Sequence, residues 1–159
     1  VRVQANPALG LLAGLGMTLT VQSSSATIAM LQTVAAQPGP DGVHGLLSLA
    51  GAIPVLLGDN IGTTITAVLA SIGQGKDAKR VAAAHAIFNL SGAAVCCGRL
   101  GPFAALVQRL SPAGPECAVI ARQIANAHTL FNVCCALVWL PLTGRMVRLV
   151  TRLLPDRAA

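Results

Sequence analysis

The sequence predicts an all-α membrane protein with broken or re-entrant helices and two longer transmembrane helices, and three observations carry that prediction. Hydrophobic residues make up 54% of the 159 positions, charged residues only 10%, and the mean hydropathy is +0.70. A soluble domain carries about a quarter charged residues, so the deficit is large. Between Arg2 and Asp41 there is no Asp, Glu, Lys or Arg, and a second uncharged stretch runs from Gln123 to Gly144. Each is long enough to supply the roughly 20 apolar residues with which an α-helix crosses a bilayer.

The first element is predicted as a hairpin over residues 1–40. Pro7 to Val21 is apolar and runs into Gln22-Ser23-Ser24-Ser25, and apolar residues resume from Ala26 to about Ala36. Pro38, Gly39 and Pro40 then impose a turn. Two half-length helices meeting at a polar tip form a re-entrant hairpin. The pattern recurs over 43–73, where Val43 to Leu57, with Pro54 inside, leads into Gly58-Asp59-Asn60-Ile61-Gly62-Thr63-Thr64 before the apolar run resumes. A second broken helix is expected there. Two longer spans are predicted within 80–142, Arg80 to Leu110 and Cys117 to Leu142, separated by Ser111–Glu116. The basic stretch 143–159 alternates Arg with apolar residues and suits an amphipathic segment on the membrane surface.

The net charge of +6 does not point to nucleic acid, because the basic residues sit in connections and at the C-terminus with few aromatics to stack bases. They serve topology instead. Lys76, Lys79 and Arg80 in the loop 74–80, and Arg145, Arg148, Arg152 and Arg157 in the tail, are placed in the cytoplasm by the positive-inside rule, with an even number of crossings between them. Five cysteines, four of them in the adjacent pairs Cys96-Cys97 and Cys134-Cys135, show no metal spacing and read as small packing residues. A start at Val1 without a basic leader points to a fragment or truncated form rather than a secreted precursor.

Gln22-Ser23-Ser24-Ser25-Ala26-Thr27 is the strongest candidate for chemistry. In hydrocarbon such polarity persists only where it lines a protein-enclosed or watered cavity. Hydroxyl and amide oxygens can replace part of a sodium ion's hydration shell, while hydroxyl and amide hydrogens at a half-helix start suit an anion. The plain alternative is that the hydroxyls bond back to their own helix. Gly58 and Gly62 allow close backbone approach, and Asn60, Thr63 and Thr64 add oxygens. Asp59 is open to two readings, a partner for sodium or a helix-capping residue at the membrane edge.

Ala84-His85-Ala86-Ile87-Phe88-Asn89-Leu90 echoes Ala127-His128-Thr129-Leu130-Phe131-Asn132-Val133. His, Phe and Asn share one helical face in each, and interhelical packing is favoured for the histidines over proton coupling or metal binding. An enzyme is disfavoured, since no Gly-x-Ser-x-Gly turn surrounds the serines and no Asp or Glu lies near either histidine in sequence.

The Gln-Ser-Ser-Ser motif, Asn60-Ile61-Gly62-Thr63-Thr64 with Thr66 and Ala67, and the two His-x-x-Phe-Asn stretches together resemble the sodium-phosphate cotransporters, the type II group and its bacterial relatives. Nearly the whole chain takes part. The resemblance implies two inverted repeats that meet near the bilayer midplane, and this chain, with one Gln-Ser-Ser-Ser, looks like the second repeat, a single unit over 1–159. By the resemblance, Gln22, Ser23, Ser24 and Ser25 would bind phosphate, and Gln22, Ser24, Ser25, Asn60, Thr63 and Thr64 would bind sodium. Asp59 stands where many relatives have a small residue, so no role is carried over to it. The implied activity is sodium-coupled phosphate symport, with sodium as the coupling ion and no cofactor, in partnership with a complementary first repeat or a second copy of the chain. The rival expectations are a non-transporting membrane assembly domain and a carrier of another oxyanion.

Overall fold

The computed structural model describes residues 6–39, 41 and 44–156. Arg2, Pro40, Gly42, Val43 and Arg157, to which the sequence reading gave parts, lie outside the described residues. Seven α-helices and one short 3-10 turn are present among the described residues, which contain no strand beyond an isolated bridge between Pro38 and Gly45.

Helix α1 (Pro7–Val21) starts where Asn6 accepts hydrogen bonds from the amides of Ala8, at 3.0 Å, and Leu9, at 3.4 Å. Pro7 suits the first turn because no helical partner exists there for the amide it lacks. The helix stops at Gln22, whose φ of 54° is left-handed, and whose N–H returns to the Thr18 carbonyl at 2.7 Å. Ser23 then caps α2 (Ser24–Ala35) with its hydroxyl. One left-handed residue thus separates the two arms of the hairpin.

Helix α3 (Leu49–Ala70) is capped by Ser48 and runs unbroken for 22 residues through Pro54 and through the whole of Gly58–Thr64. The broken helix expected over 43–73 is therefore corrected. Its polar side chains bond within the helix: Asn60 Nδ2 donates to the Leu56 carbonyl at 3.2 Å, Thr63 Oγ1 to Asp59 O at 3.0 Å and Thr64 Oγ1 to Ile61 O at 2.7 Å. Polarity met in this way needs no unwound backbone.

The span expected from Arg80 to Leu110 is also corrected, because it divides into α4 (Lys76–Cys97) and α5 (Leu100–Arg109), with Arg99 non-helical at φ −138° and ψ 34°. Pro102 is the physical reason. It cannot donate to the carbonyl of Gly98, and its ring would collide with that carbonyl in a continuous helix. Helix α6 (Glu116–Trp139) passes through a 3-10 turn at Leu140–Leu142 into α7 (Thr143–Leu153).

The core gathers on α3, which packs against α1, α2, α4, α5 and α6. Ala52, Ile53 and Leu57 are wholly buried there, facing others such as Ile120, Ile124 and Phe131. Along α1 and α3 the backbones touch. A Cβ on Gly14 would lie 1.9 Å from the Val55 carbonyl oxygen, and one on Gly58 would lie 2.0 Å from that of Leu11. Large apolar side chains remain uncovered elsewhere, among them Ile72 (67% exposed), Val95 and Leu140 (74%). Three helical stretches, Leu49–Ala70, Lys76–Cys97 and Glu116–Leu153, are long and apolar enough to cross a membrane. An apolar exterior of this extent belongs in lipid, and the protein is an all-α membrane protein.

Candidate functional site

The hairpin tip is built by two opposed local requirements. Gln22 takes the left-handed conformation that lets α1 end in one residue, and Ser23 returns to extended backbone, φ −145°, so that its hydroxyl faces the start of α2. The Ser23 hydroxyl accepts from Ala26 N at 3.4 Å, and its carbonyl accepts from Thr27 N at 3.0 Å and from the Thr27 hydroxyl at 3.1 Å. Gln22, Ser23 and Ser25 are exposed, Ser24 is half-buried and Thr27 is wholly buried. First-turn amides have no partner within a helix, and the helix dipole adds positive potential. The tip therefore presents amide and hydroxyl donors to an anion and hydroxyl and carboxamide oxygens to a cation.

The structure does not bring all the candidate residues together. Asn60 and Thr64 are buried, Thr63 is half-buried, and all three direct a side-chain donor into their own helix. Among the described residues no hydrogen bond joins them to Gln22, Ser23, Ser24 or Ser25. The link runs through Thr18, one turn before Gln22, against which Gly62 packs so closely that a Cβ there would lie 2.7 Å from Thr18 Cβ. The same threonine donates to Asp59 Oδ1 at 2.5 Å.

Sequence reasoning missed Thr18, which is 1% exposed. Its one signal was a hydroxyl one helical turn before the polar break. The two His-x-x-Phe-Asn faces adopt the same local arrangement: Asn89 Nδ2 donates to His85 O at 3.1 Å and Asn132 Nδ2 to His128 O at 2.9 Å. The asparagines thus close on their own helices, and Phe131 carries the packing contact from α6 toward α4, lying against Gly92.

A family model described as Na+/Pi-cotransporter matches residues 1–121. Among curated proteins, the "Uncharacterized protein YqeW" of Bacillus subtilis (strain 168) is 39% identical over 102 residues, 64% of this chain and 31% of that protein. Sodium-dependent phosphate transport protein 2C of Homo sapiens is 44% identical over 88 residues, 53% of this chain and 14% of its own length. Sodium-dependent phosphate transport protein 2B of Bos taurus is 42% identical over 89 residues, 53% of this chain and 12% of that protein. The aligned region is thus less than a third of each relative. No solved structure matches the chain. With the family model covering well over half of its residues, and with a polar hairpin set against a buried helix in an apolar bundle, the chain belongs to the Na+/Pi-cotransporter family.

Proposed function

We propose that the chain carries out sodium-coupled symport of inorganic phosphate across the cell membrane as one half of a full transporter. The observation that carries this reading is the hairpin tip, where a left-handed Gln22 delivers Ser23, Ser24 and Ser25 to the start of a half-length helix. Phosphate meets the amides and hydroxyls of Ser23, Ser24 and Ser25 and the Gln22 carboxamide. Sodium takes oxygens from Gln22, Ser24 and Ser25, with Asn60, Thr63 and Thr64 supporting that side from α3. The relatives named for sodium-dependent phosphate transport support the choice of ions.

Coupling follows from placing opposite charges side by side, since each ion lowers the free energy of binding the other. Exposure of Gln22, Ser23 and Ser25 favours completion of the site by a second polar surface, from a complementary first repeat or a second copy of the chain. Rocking of the hairpin against the longer helices would alternate access. With α4 and α6 as two crossings, Lys76 and Lys79 lie on the same side as Arg145, Arg148 and Arg152, the cytoplasmic side by the positive-inside rule.

Radiolabelled phosphate uptake into proteoliposomes under an inward sodium gradient tests the proposal, with the chain alone and with a complementary first repeat. Sodium-dependent uptake that Ser24→Ala abolishes is expected. Absence of sodium-dependent uptake in every well-folded preparation would sink the phosphate reading.

A further inference from the structure

The break between α4 and α5 opens a cleft on the outside of the bundle. Helix α4 ends at Cys97, Arg99 leaves helical geometry, and α5 sets off again at Leu100. Between these two helices and α6 lies a cavity of about 260 Å³, lined by Val95 and Cys96 of α4, Phe103 and Leu106 of α5, and Cys134 and Val138 of α6. Val95, Leu106, Cys134 and Val138 are exposed, so the cavity opens outward rather than into the core.

The polar groups in its wall are already committed. The Trp139 indole donates to the Ser91 hydroxyl, which donates onward to the Phe88 carbonyl, so neither has a hydrogen left for a ligand. The rest of the wall is hydrocarbon and thiol, and an apolar cavity of this kind stays dry. In a bilayer the adjoining medium is itself hydrocarbon. The volume falls short of the roughly 300–1,000 Å³ of pockets that enclose compact drug-sized molecules, which suits a slender chain entering from the side.

One charge stands beside this apolar cleft. Arg99 lies between Cys96 and Phe103 in the chain, at the corner where α4 gives way to α5, and is exposed. Its guanidinium makes no hydrogen bond or ion pair among the described residues. The five carboxylates of the chain are engaged elsewhere: Asp41 with His44, Asp59 with Thr18, Asp77 and Asp156 with Arg80, and Glu116 with the Gly45 amide. Because α4 is long and apolar enough to cross a membrane, Arg99, two residues past its end, stands where hydrocarbon gives way to headgroups.

We propose that this cleft is a phospholipid-binding site, with one acyl chain lying in the cavity between α4, α5 and α6 and the lipid phosphate held by Arg99. A guanidinium meets a phosphate group with paired hydrogen bonds and opposite charge. The occupant is an amphiphile because the site has two parts, hydrocarbon walls and a cation at the rim. A free anion gains nothing from the walls, and an apolar molecule without a phosphate leaves Arg99 unpaired. The site shares no residue with the serine tip and does not depend on the transport reading.

Photolabelling of the 159-residue chain in lipid nanodiscs tests the site. The probes are a phosphatidylcholine with a diazirine in one acyl chain and a diacylglycerol carrying the same chain, each a minor component of the bilayer, with labelled positions read by peptide mass spectrometry. Phospholipid label should concentrate on Cys96, Phe103 and Cys134 over Leu12 and Leu69, which are exposed on α1 and α3. Val138→Trp places an indole in the cavity and should remove that enrichment while leaving the label at Leu12. Arg99→Gln should lower phospholipid label in the cleft by about threefold, in line with an exposed ion pair, and leave diacylglycerol label unchanged. Should Val138→Trp not fold, Arg99→Gln at its exposed corner carries the test. Label spread evenly over the exposed apolar residues would show ordinary boundary lipid and overturn the site. Equal labelling by the two probes, or displacement of the phospholipid by inorganic phosphate, would overturn it too. Loss of the cleft label on adding a complementary first repeat would give the cleft to protein and overturn the lipid.

Discussion

The indole Nε1 of Trp139 donates to the Ser91 hydroxyl at 3.1 Å and ties the end of α6 to the middle of α4. Ser91 in turn bonds back to the Phe88 carbonyl at 3.0 Å, so the indole is held by a group already fixed on its own helix. Trp139→Phe keeps most of the apolar ring and loses the bond. The expected effect is a loss of about 1 kcal/mol, read as a lower unfolding midpoint. Ser91→Ala should lose a similar amount, and the double variant should be less than additive because both remove one bond.

The glycines of the α1–α3 seam separate packing from intrinsic helix preference. Gly58→Ala places a methyl group against the Leu11 backbone and should destabilise by about 1–3 kcal/mol. Gly16, in the same α1 helix as Leu11, has open space around its missing Cβ. Gly16→Ala should therefore stabilise by roughly 0.5–1 kcal/mol, as expected for a helical glycine without contacts. Equal effects of the two substitutions would show that the seam is not in contact.

Gln22→Gly offers a test of role against strain. A non-glycine residue at φ 54° carries a left-handed penalty of roughly 1 kcal/mol that glycine does not. The variant should unfold at a higher temperature and yet lose sodium-dependent phosphate uptake, because the carboxamide is gone. Full uptake with a raised midpoint would remove Gln22 from the binding residues.

His44 gives the loop before α3 a pH dependence. Its Nδ1 lies 2.6 Å from Asp41 Oδ2, and the hydrogen bond and then the charge of Asp41 raise the imidazole above its ordinary value of 6.5. The folded state thus binds the proton more tightly. The pair contributes fully below about pH 6.5, and its contribution disappears as pH rises through the elevated folded value. Histidine NMR titration should find His44 above the ordinary range, and Asp41→Asn should bring it back toward that range.

Arg80 fastens the C-terminal end of α7. Its Nε and Nη2 donate to the Leu154 carbonyl at 3.1 and 2.9 Å, while Nη2 also reaches Asp156 Oδ1 at 3.0 Å. Arg80→Lys keeps the charge but loses the planar fork. Amide exchange at the end of α7 should accelerate by about fivefold, the equivalent of roughly 1 kcal/mol.

Helix content and the polar tip were legible because they rest on local contrasts. Four polar residues after an uncharged run stand out, and Ser23 has the chemistry of a cap wherever a helix resumes. The same logic failed at Asn60, Thr63 and Thr64, because composition does not reveal whether a side chain breaks its helix or bonds back to it. It also passed over Pro102, since the hydropathy stays apolar across a point where the backbone has to turn. Asp59 and Thr18 are 41 positions apart, and only the close approach of two glycine-bearing helices makes them a pair.

The central place of α3 also constrains how the protein is made. An aspartate at the middle of a lone helix opposes insertion into lipid by about 3 kcal/mol, and Asp59 is the eleventh residue of the 22 in α3. Its hydroxyl partner, Thr18 of α1, is synthesised before α3 and can therefore meet it as it emerges. Membrane insertion of α3 should thus depend on what precedes it: the helix enters readily beside α1 and poorly when that neighbour is replaced by a generic apolar segment.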